Sequence, residues 1–400
     1  MAARWLAGPV AAILALGSVV RAELPPGLSY DDAYAWFSVE TITDVENGKP
    51  YAKGWVLTSQ LRIFGRTPDH SAFKLLLKQN GQALATIYQD GSIYRFDPPA
   101  WTGKPDCLWN NNIVDRKQIV KAEGPVQVEV YYVHGDDLSE HLARVHTVDV
   151  QKVTRVRGGQ NEPDAPHYYV NRHGEAAAAW IYQRAGLIEP YTSGDGGDTY
   201  SENVVELVFG VCPTEEGRSV PTGYLRTTVD GKPLDLTPYQ EYTQKDAVNG
   251  DVSSWRQYEV VQVTGPNEKE PIGFRQYSLI LPFTFGPEGD ILRDTTKPSL
   301  NDHPGRWEYT YIVNGQKVRT WRFAVGKDGN ILPHPEEQLG LGLAPNAHLV
   351  EMVIPDGGAF IDDRLVPEQA QAGGFYGRPW KSAEMKAAAA AIPAKGRPAP

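Results

Sequence analysis

The stretch "HPGRWEYTYIVNGQKVRTWRFAV", residues 303–325, decides the fold. Apolar and polar side chains alternate on both sides of Asn314-Gly315, the period of strands that bury one face. Trp307, Tyr309 and Tyr311 share a face before the turn, and Trp321, Phe323 and Val325 belong on that face after it. A two-residue turn would pair Tyr311 with Val318 and send Trp321 to the opposite side. A three-residue loop with Gly315 in the left-handed region keeps the aromatics together. The spacing therefore predicts a type I turn plus bulge, with positive φ at Gly315.

The same alternation recurs upstream. Trp55, Leu57, Ser59, Leu61 and Ile63 form one stripe, Val205, Leu207, Phe209 and Val211 a second, and Tyr277, Leu279, Leu281, Phe283 and Phe285 a third. Asn80-Gly81 and Asp230-Gly231 lie between apolar runs and mark further hairpins. Helical periodicity is confined to the alanine-rich Ser382–Ala391, begun by Ser382 and stopped by Pro393. With 39 Gly, 31 Pro, 10 Trp, 20 Tyr and 11 Phe in 400 residues, composition also favours strands and turns over helices. The fold class expected is all-β.

These elements repeat in order. Residues 55–87 and 203–236 each run long strand, polar loop and Asn-Gly or Asp-Gly hairpin, and 124–150 parallels 303–325. Val126, Val128 and Val130 match Trp307, Tyr309 and Tyr311, while Val148 and Val150 match Trp321 and Phe323. The double series of short strands resembles two tandem immunoglobulin-like or fibronectin-like β-sandwich domains. The resemblance rests on pattern and brings no functional residues with it. The expected domains are 23–157 and 168–326, joined by a linker at 158–167 within "RGGQNEPDAPH". A C-terminal extension, 327–400, is irregular and packs back, with His348–Ile354 adding one strand, a short terminal helix, and about ten disordered residues at the end.

The first residues, "MAARWLAGPVAAILALGSVVRA", combine an early arginine, an apolar stretch from Leu6 to Val20 and small residues around Ala22. That layout is a secretory signal peptide over 1–22, too short to span a bilayer, with no later transmembrane segment expected. The expected location is secreted or periplasmic. Loss of Arg4 and Arg21 takes the formal charge from −10 to −12, which disfavours nucleic-acid or anionic-membrane partners. Two cysteines, Cys107 and Cys212, allow one disulfide or none.

The chain has no G-x-S-x-G, H-E-x-x-H, P-loop or G-x-G-x-x-G signature. Three stretches carry candidate chemistry instead. "YYVHGDDLSEHLARVH" (131–146) offers His134, Asp136, Asp137 and His141 as metal ligands, against a solvated hairpin loop occupying the place of the Asn314-Gly315 turn. His146, by parity with Val148 and Val150, faces inward as a structural histidine. "YTSGDGGDTYSEN" (191–203) offers Asp195, Asp198 and Glu202 to calcium, against a plain loop; no other cofactor is expected. "DPPAWTGKPDCLWNNN" (97–112) places Trp101, Trp109, Asn110 and Asn111 in a loop, where ring faces and amides suit a sugar or peptide, against tryptophans that simply pin a long loop to the sandwich, the reading preferred. The balance favours an exported, non-catalytic binding or structural module whose partner is a protein or polysaccharide of the cell envelope. A secreted hydrolase or glycan-binding protein acting on polysaccharide or peptide is the alternative.

Overall fold

The computed structural model describes residues 24–88, 94–96, 107–111, 116–156, 165–170, 179–188, 200–211, 224–234, 259–262, 271–285, 298–313, 315–334, 337, 347–353, 374–375 and 378–379. The protein is all-β there: antiparallel strands, one 3-10 turn at Leu300–Asp302 and no α-helix among the described residues. The expected signal peptide, the terminal helix and Cys212 lie outside them.

Ten strands form the first half: β1 (Ser29–Tyr30), β2 (Trp36–Glu46), β3 (Lys49–Phe64), β4 (Ala72–Gln79), β5 (Gln82–Tyr88), β6 (Tyr94–Phe96), β7 (Cys107–Asn111), β8 (Gly124–Val133), β9 (Glu140–Val156) and β10 (Ala165–Val170). The second half holds β11 (Ala179–Ile188), β12 (Tyr200–Val211), β13 (Tyr224–Val229), β14 (Lys232–Pro233), β15 (Glu259–Gln262), β16 (Pro271–Thr284), β17 (Gly305–Val313) and β18 (Gln316–Val325). Four short strands follow: β19 (Ala347–Leu349), β20 (Glu351–Val353), β21 (Gly374–Phe375) and β22 (Arg378–Pro379).

Each half is four antiparallel hairpins dealt alternately into two sheets. The first half has the orders β2-β3-β7-β6 and β5-β4-β8-β9; the second has β11-β12-β16-β15 and β14-β13-β17-β18. Position for position, the two orders are the same. Edge strands complete the sheets: β1 on β3, β10 on β9, β19 on β11 and β20 on β18. The expected linker 158–167 therefore ends inside β10, which pairs with β9 from Ala165 onward. The single strand expected at His348–Ile354 is two strands that close the edges of different sheets, with Val350 between them donating to the Ala179 carbonyl at 3.1 Å.

The paired sheets of each half share an apolar core, as the alternation demands. In the first, Phe37, Trp55, Leu57, Leu61 and Ile63 meet Phe73, Leu75, Leu77, Val126, Val128, Val130, Val148 and Val150. In the second, Ile181, Val205, Leu207, Leu281 and Phe283 meet Leu225, Trp307, Tyr309, Tyr311, Trp321 and Phe323. Each such side chain contributes about 1.5–3 kcal/mol through removal from water. The cores also interlock. Trp36 of β2 belongs to the second core, and Trp180, Tyr182 and Val208 of the second half belong to the first.

The deciding hairpin keeps its aromatics together by a route other than the one expected. Gly315 has φ +77, but Val313 pairs directly with Gln316, so the loop is two residues long. The extra residue sits inside β18 at Val318, between the pairs Ile312–Lys317 and Tyr311–Arg319. That bulge restores parity and sets Trp321 opposite Tyr309 and Phe323 opposite Trp307. Asn-Gly favours the tight turn whose twist matches the strands, and the correction then falls within the strand. Asn80-Gly81 (φ 50, 78) and Asp230-Gly231 (φ 50, 75) make the same tight turn. So does Asn47-Gly48 (φ 53, 73), a hairpin the sequence reading passed over.

A bulge at Ala143 in β9 likewise separates the pairs Tyr131–Leu142 and Val130–Arg144. With Val128 opposite His146 and Val126 opposite Val148, the counterpart of Trp321 is His146 and that of Phe323 is Val148. The expected match of Val148 and Val150 to Trp321 and Phe323 is thus two residues out of register, because the longer 134–139 loop hides the count.

Candidate functional site: a buried polar cluster and an ordered loop tip

The segment "YDDAY" (30–34) turns from β1 toward β2 and carries two adjacent carboxylates into the interior. Asp31 and Asp32 are 0% and 1% exposed. Burial at this depth requires partners, and both have them. Asp31 Oδ1 accepts the backbone N–H groups of Ala33 (3.1 Å) and Tyr34 (3.2 Å), which fixes the turn. Its Oδ2 accepts both Nε (2.9 Å) and Nη2 of Arg62 on β3. Arg62 lies over the rings of Tyr34 (4.3 Å) and Phe64 (4.8 Å). Burial works against the guanidinium charge. Asp31, with Tyr182 and Tyr34, more than offsets it, so the Arg62 pKa stands above its ordinary value.

Asp32 turns the other way. Its Oδ2 meets Arg144 Nη2 of β9 at 2.7 Å, and its Oδ1 lies 3.9 Å from His146 Nε2. That same nitrogen is 2.9 Å from the Tyr30 hydroxyl. His146 faces inward as parity predicts, buried and packed on the Phe37 ring at 4.9 Å. The residue types (carboxylate, imidazole, phenol and guanidinium) are those of proton-transfer chemistry. Their placement is that of a staple: each holds another, Tyr30, Asp31, Asp32 and His146 are buried, the Arg62 and Arg144 side chains are largely covered, and together they tie the N-terminal segment to β3 and β9. The sequence reading missed Tyr30, Asp31, Asp32, Arg62 and Arg144. The available signal was a pair of aspartates set among tyrosines, alanines and a tryptophan, just before a strand.

The 134–139 loop is the second cluster. His134 Nδ1 lies 3.3 Å from Asp137 Oδ1 and 3.4 Å from the Asp136 backbone N–H. Asp137 Oδ1 accepts Ser139 N–H (2.9 Å) and Oγ–H (2.7 Å), and Ser139 Oγ is 3.0 Å from His141 Nε2. The Ser139 hydroxyl, then its N–H, hold the Asp137 pKa below the ordinary carboxylate value. Beneath the loop, Ser71 Oγ accepts Gly135 N–H (3.2 Å), contacts Tyr132 OH (3.0 Å) and donates to the Pro68 carbonyl (2.9 Å). Among the described residues no three His, Cys, Asp or Glu side chains gather as a metal set. His134 and Asp137 face each other, His141 joins them only through Ser139, and Asp136 points into solvent.

The remaining candidates are scattered. Trp109, Asn110 and Asn111 stand not in a loop but in β7, opposite Arg62, Leu61 and Gln60, because the alternation that ends β3 recruits a central partner there. Trp101 lies outside the described residues. Asp195 and Asp198 do also, and Glu202 is in β12 opposite Gly186 rather than in the expected loop. No helix among the described residues is long and apolar enough to cross a membrane.

Fold and clusters together define an all-β protein of antiparallel sheets with a repeated strand order. No family model, curated protein or solved structure matches the chain.

Proposed function

We propose that the chain is an exported, non-catalytic binding or structural module of the cell envelope or extracellular space, built from two tandem immunoglobulin-like β-sandwiches. Strand order supports the fold: β2-β3-β7-β6 facing β5-β4-β8-β9 corresponds to A-B-E-D facing C′-C-F-G, and the second half repeats it. Residues 1–22 are the export signal, 23–157 and 168–326 the two sandwiches, and 327–400 an extension that supplies edge strands to the second. The partner is a protein or polysaccharide of the envelope.

One observation carries the non-catalytic reading. The groups of the Tyr30–Asp32–His146 cluster are held by one another and by Arg144 away from solvent, His146 at 3% exposure against Tyr30, and Asp32 at 1% against Arg144. A substrate atom has no approach to them, and a general acid or base must reach the proton it moves. The test is turnover of ester, glycoside and peptide substrates by the mature protein. No turnover above the buffer rate is expected. Turnover abolished by His146→Gln in a protein that still folds would overturn the reading.

A further inference from the structure

Five residues other than glycine hold positive φ among the described residues: Asn47, His70, Asn80, Leu138 and Asp230. Three of them begin Asn-Gly or Asp-Gly hairpins, where the turn demands that conformation. His70 (φ 63) and Leu138 (φ 58) begin none, and they sit in loops that touch. Gly135 lies so close to the first loop that a Cβ there would stand 1.7 Å from the Asp69 carbonyl oxygen. For leucine the left-handed region is a true outlier, and such strain persists only where the surroundings impose it.

Here the surroundings impose it while leaving the side chain outside. Leu138 N–H donates to the His134 carbonyl (3.0 Å), His134 N–H donates to Ser139 O (2.9 Å), and Asp137 holds Ser139. Leu138 itself is 69% exposed, the most exposed large apolar side chain among the described residues. Asp136 and Asp137 precede it in the same loop, Asp69 and His70 lie in the loop that Gly135 meets, and all four are exposed. The corresponding turn of the second half is shorter, since Val313 pairs directly with Gln316.

We propose that the tip is a protein-docking site, with Leu138 the anchor that enters an apolar pocket rimmed by Lys or Arg on the partner. The proposal rests on the binding-module reading and names its surface. A rigid frame removes the ordering entropy that a mobile loop would lose on binding, and one desolvated anchor inside a polar rim is how binding energy concentrates. The acidic rim sets the sign of the partner's charge. It also disfavours an anionic bilayer, and a leucine offers a sugar no ring face to stack on.

The test uses the full chain in the cells that make it, with a benzophenone side chain at position 136, or at position 88 on the outer face of the β5-β4-β8-β9 sheet. Ultraviolet light should yield one discrete protein adduct from position 136, weakened by added salt. Leu138→Gly should reduce that adduct at least about tenfold while the melting temperature holds or rises, because glycine relaxes at positive φ. A merely structural leucine would give the same melting shift and leave the adduct intact, which overturns the proposal. So would an adduct indifferent to salt, or sedimentation of the protein with phosphatidylglycerol vesicles. An adduct from position 88 alone sinks the tip and spares the binding-module reading; adducts from neither sink both.

Discussion

Trp36 and Trp180 are exchanged between the two cores: the first-half tryptophan is buried at 1% exposure in the second core, and the second-half tryptophan at 3% in the first. Each leaves the half that carries it, so neither core is complete without the other half. Trp36→Ala should cost about 3–5 kcal/mol, as expected for an emptied tryptophan site. The loss should lower one shared calorimetric transition rather than split it. Two separate transitions in the parent protein would show that the interlock carries little energy.

Thr41 stands in for a missing strand partner. Its Oγ1 accepts Tyr168 N–H at 2.8 Å and donates to the Tyr168 carbonyl at 3.3 Å, tying β2 to β10. Thr41→Val keeps the shape and leaves both backbone groups unpaired, at about 1–3 kcal/mol. Hydrogen exchange should quicken across 165–170 before it changes in β8 or β9.

Two tyrosines set the alkaline limit. Burial pushes the Tyr311 pKa up to about 12; at Tyr131, burial and then the hydrogen bond to Glu129 push it up to about 12. The unfolded chain ionises these phenols near pH about 10, while the folded protein keeps them protonated. Stability should therefore fall between about pH 10 and 12. Absorbance titration should show the last phenolates forming only as the protein unfolds, and Tyr311→Phe should flatten the fall.

His167 works at the other end. Burial lowers its pKa below the ordinary 6.5. As pH drops below 6.5 the unfolded chain takes up a proton that the folded imidazole resists, so this stability is present above 6.5 and lost below it. NMR titration should place the His167 midpoint below 6.5.

Gly135 lets two loops meet. Any Cβ there collides with the backbone at Asp69 and Ser71. Gly135→Ala should push the 134–139 loop outward and break the Ser71–Gly135 hydrogen bond, seen as faster exchange at Gly135 and a lower melting temperature.

The strands and the all-β class were legible because a half-buried strand writes its pattern directly into alternate positions, as from Trp307 to Tyr311. The bulge at Val318 was not, since where a strand takes up an extra residue depends on the pairing partner. The two-residue slip at His146 follows from the same blindness. Asp31 and Asp32 were illegible for another reason: their partners Arg62 and Arg144 lie 31 and 112 positions away, and only the sheet brings them together.

The central claim, that the buried charges hold the fold rather than perform chemistry, is tested most directly by urea unfolding of a double-mutant cycle at Asp32 and Arg144. Asp32→Ala and Arg144→Ala should each cost about 3–5 kcal/mol, because each strands a buried charge or its hydrogen-bond partners. The double variant should lose about 1–3 kcal/mol less than the two single losses combined. Single losses below about 1 kcal/mol, adding without coupling, would contradict the account.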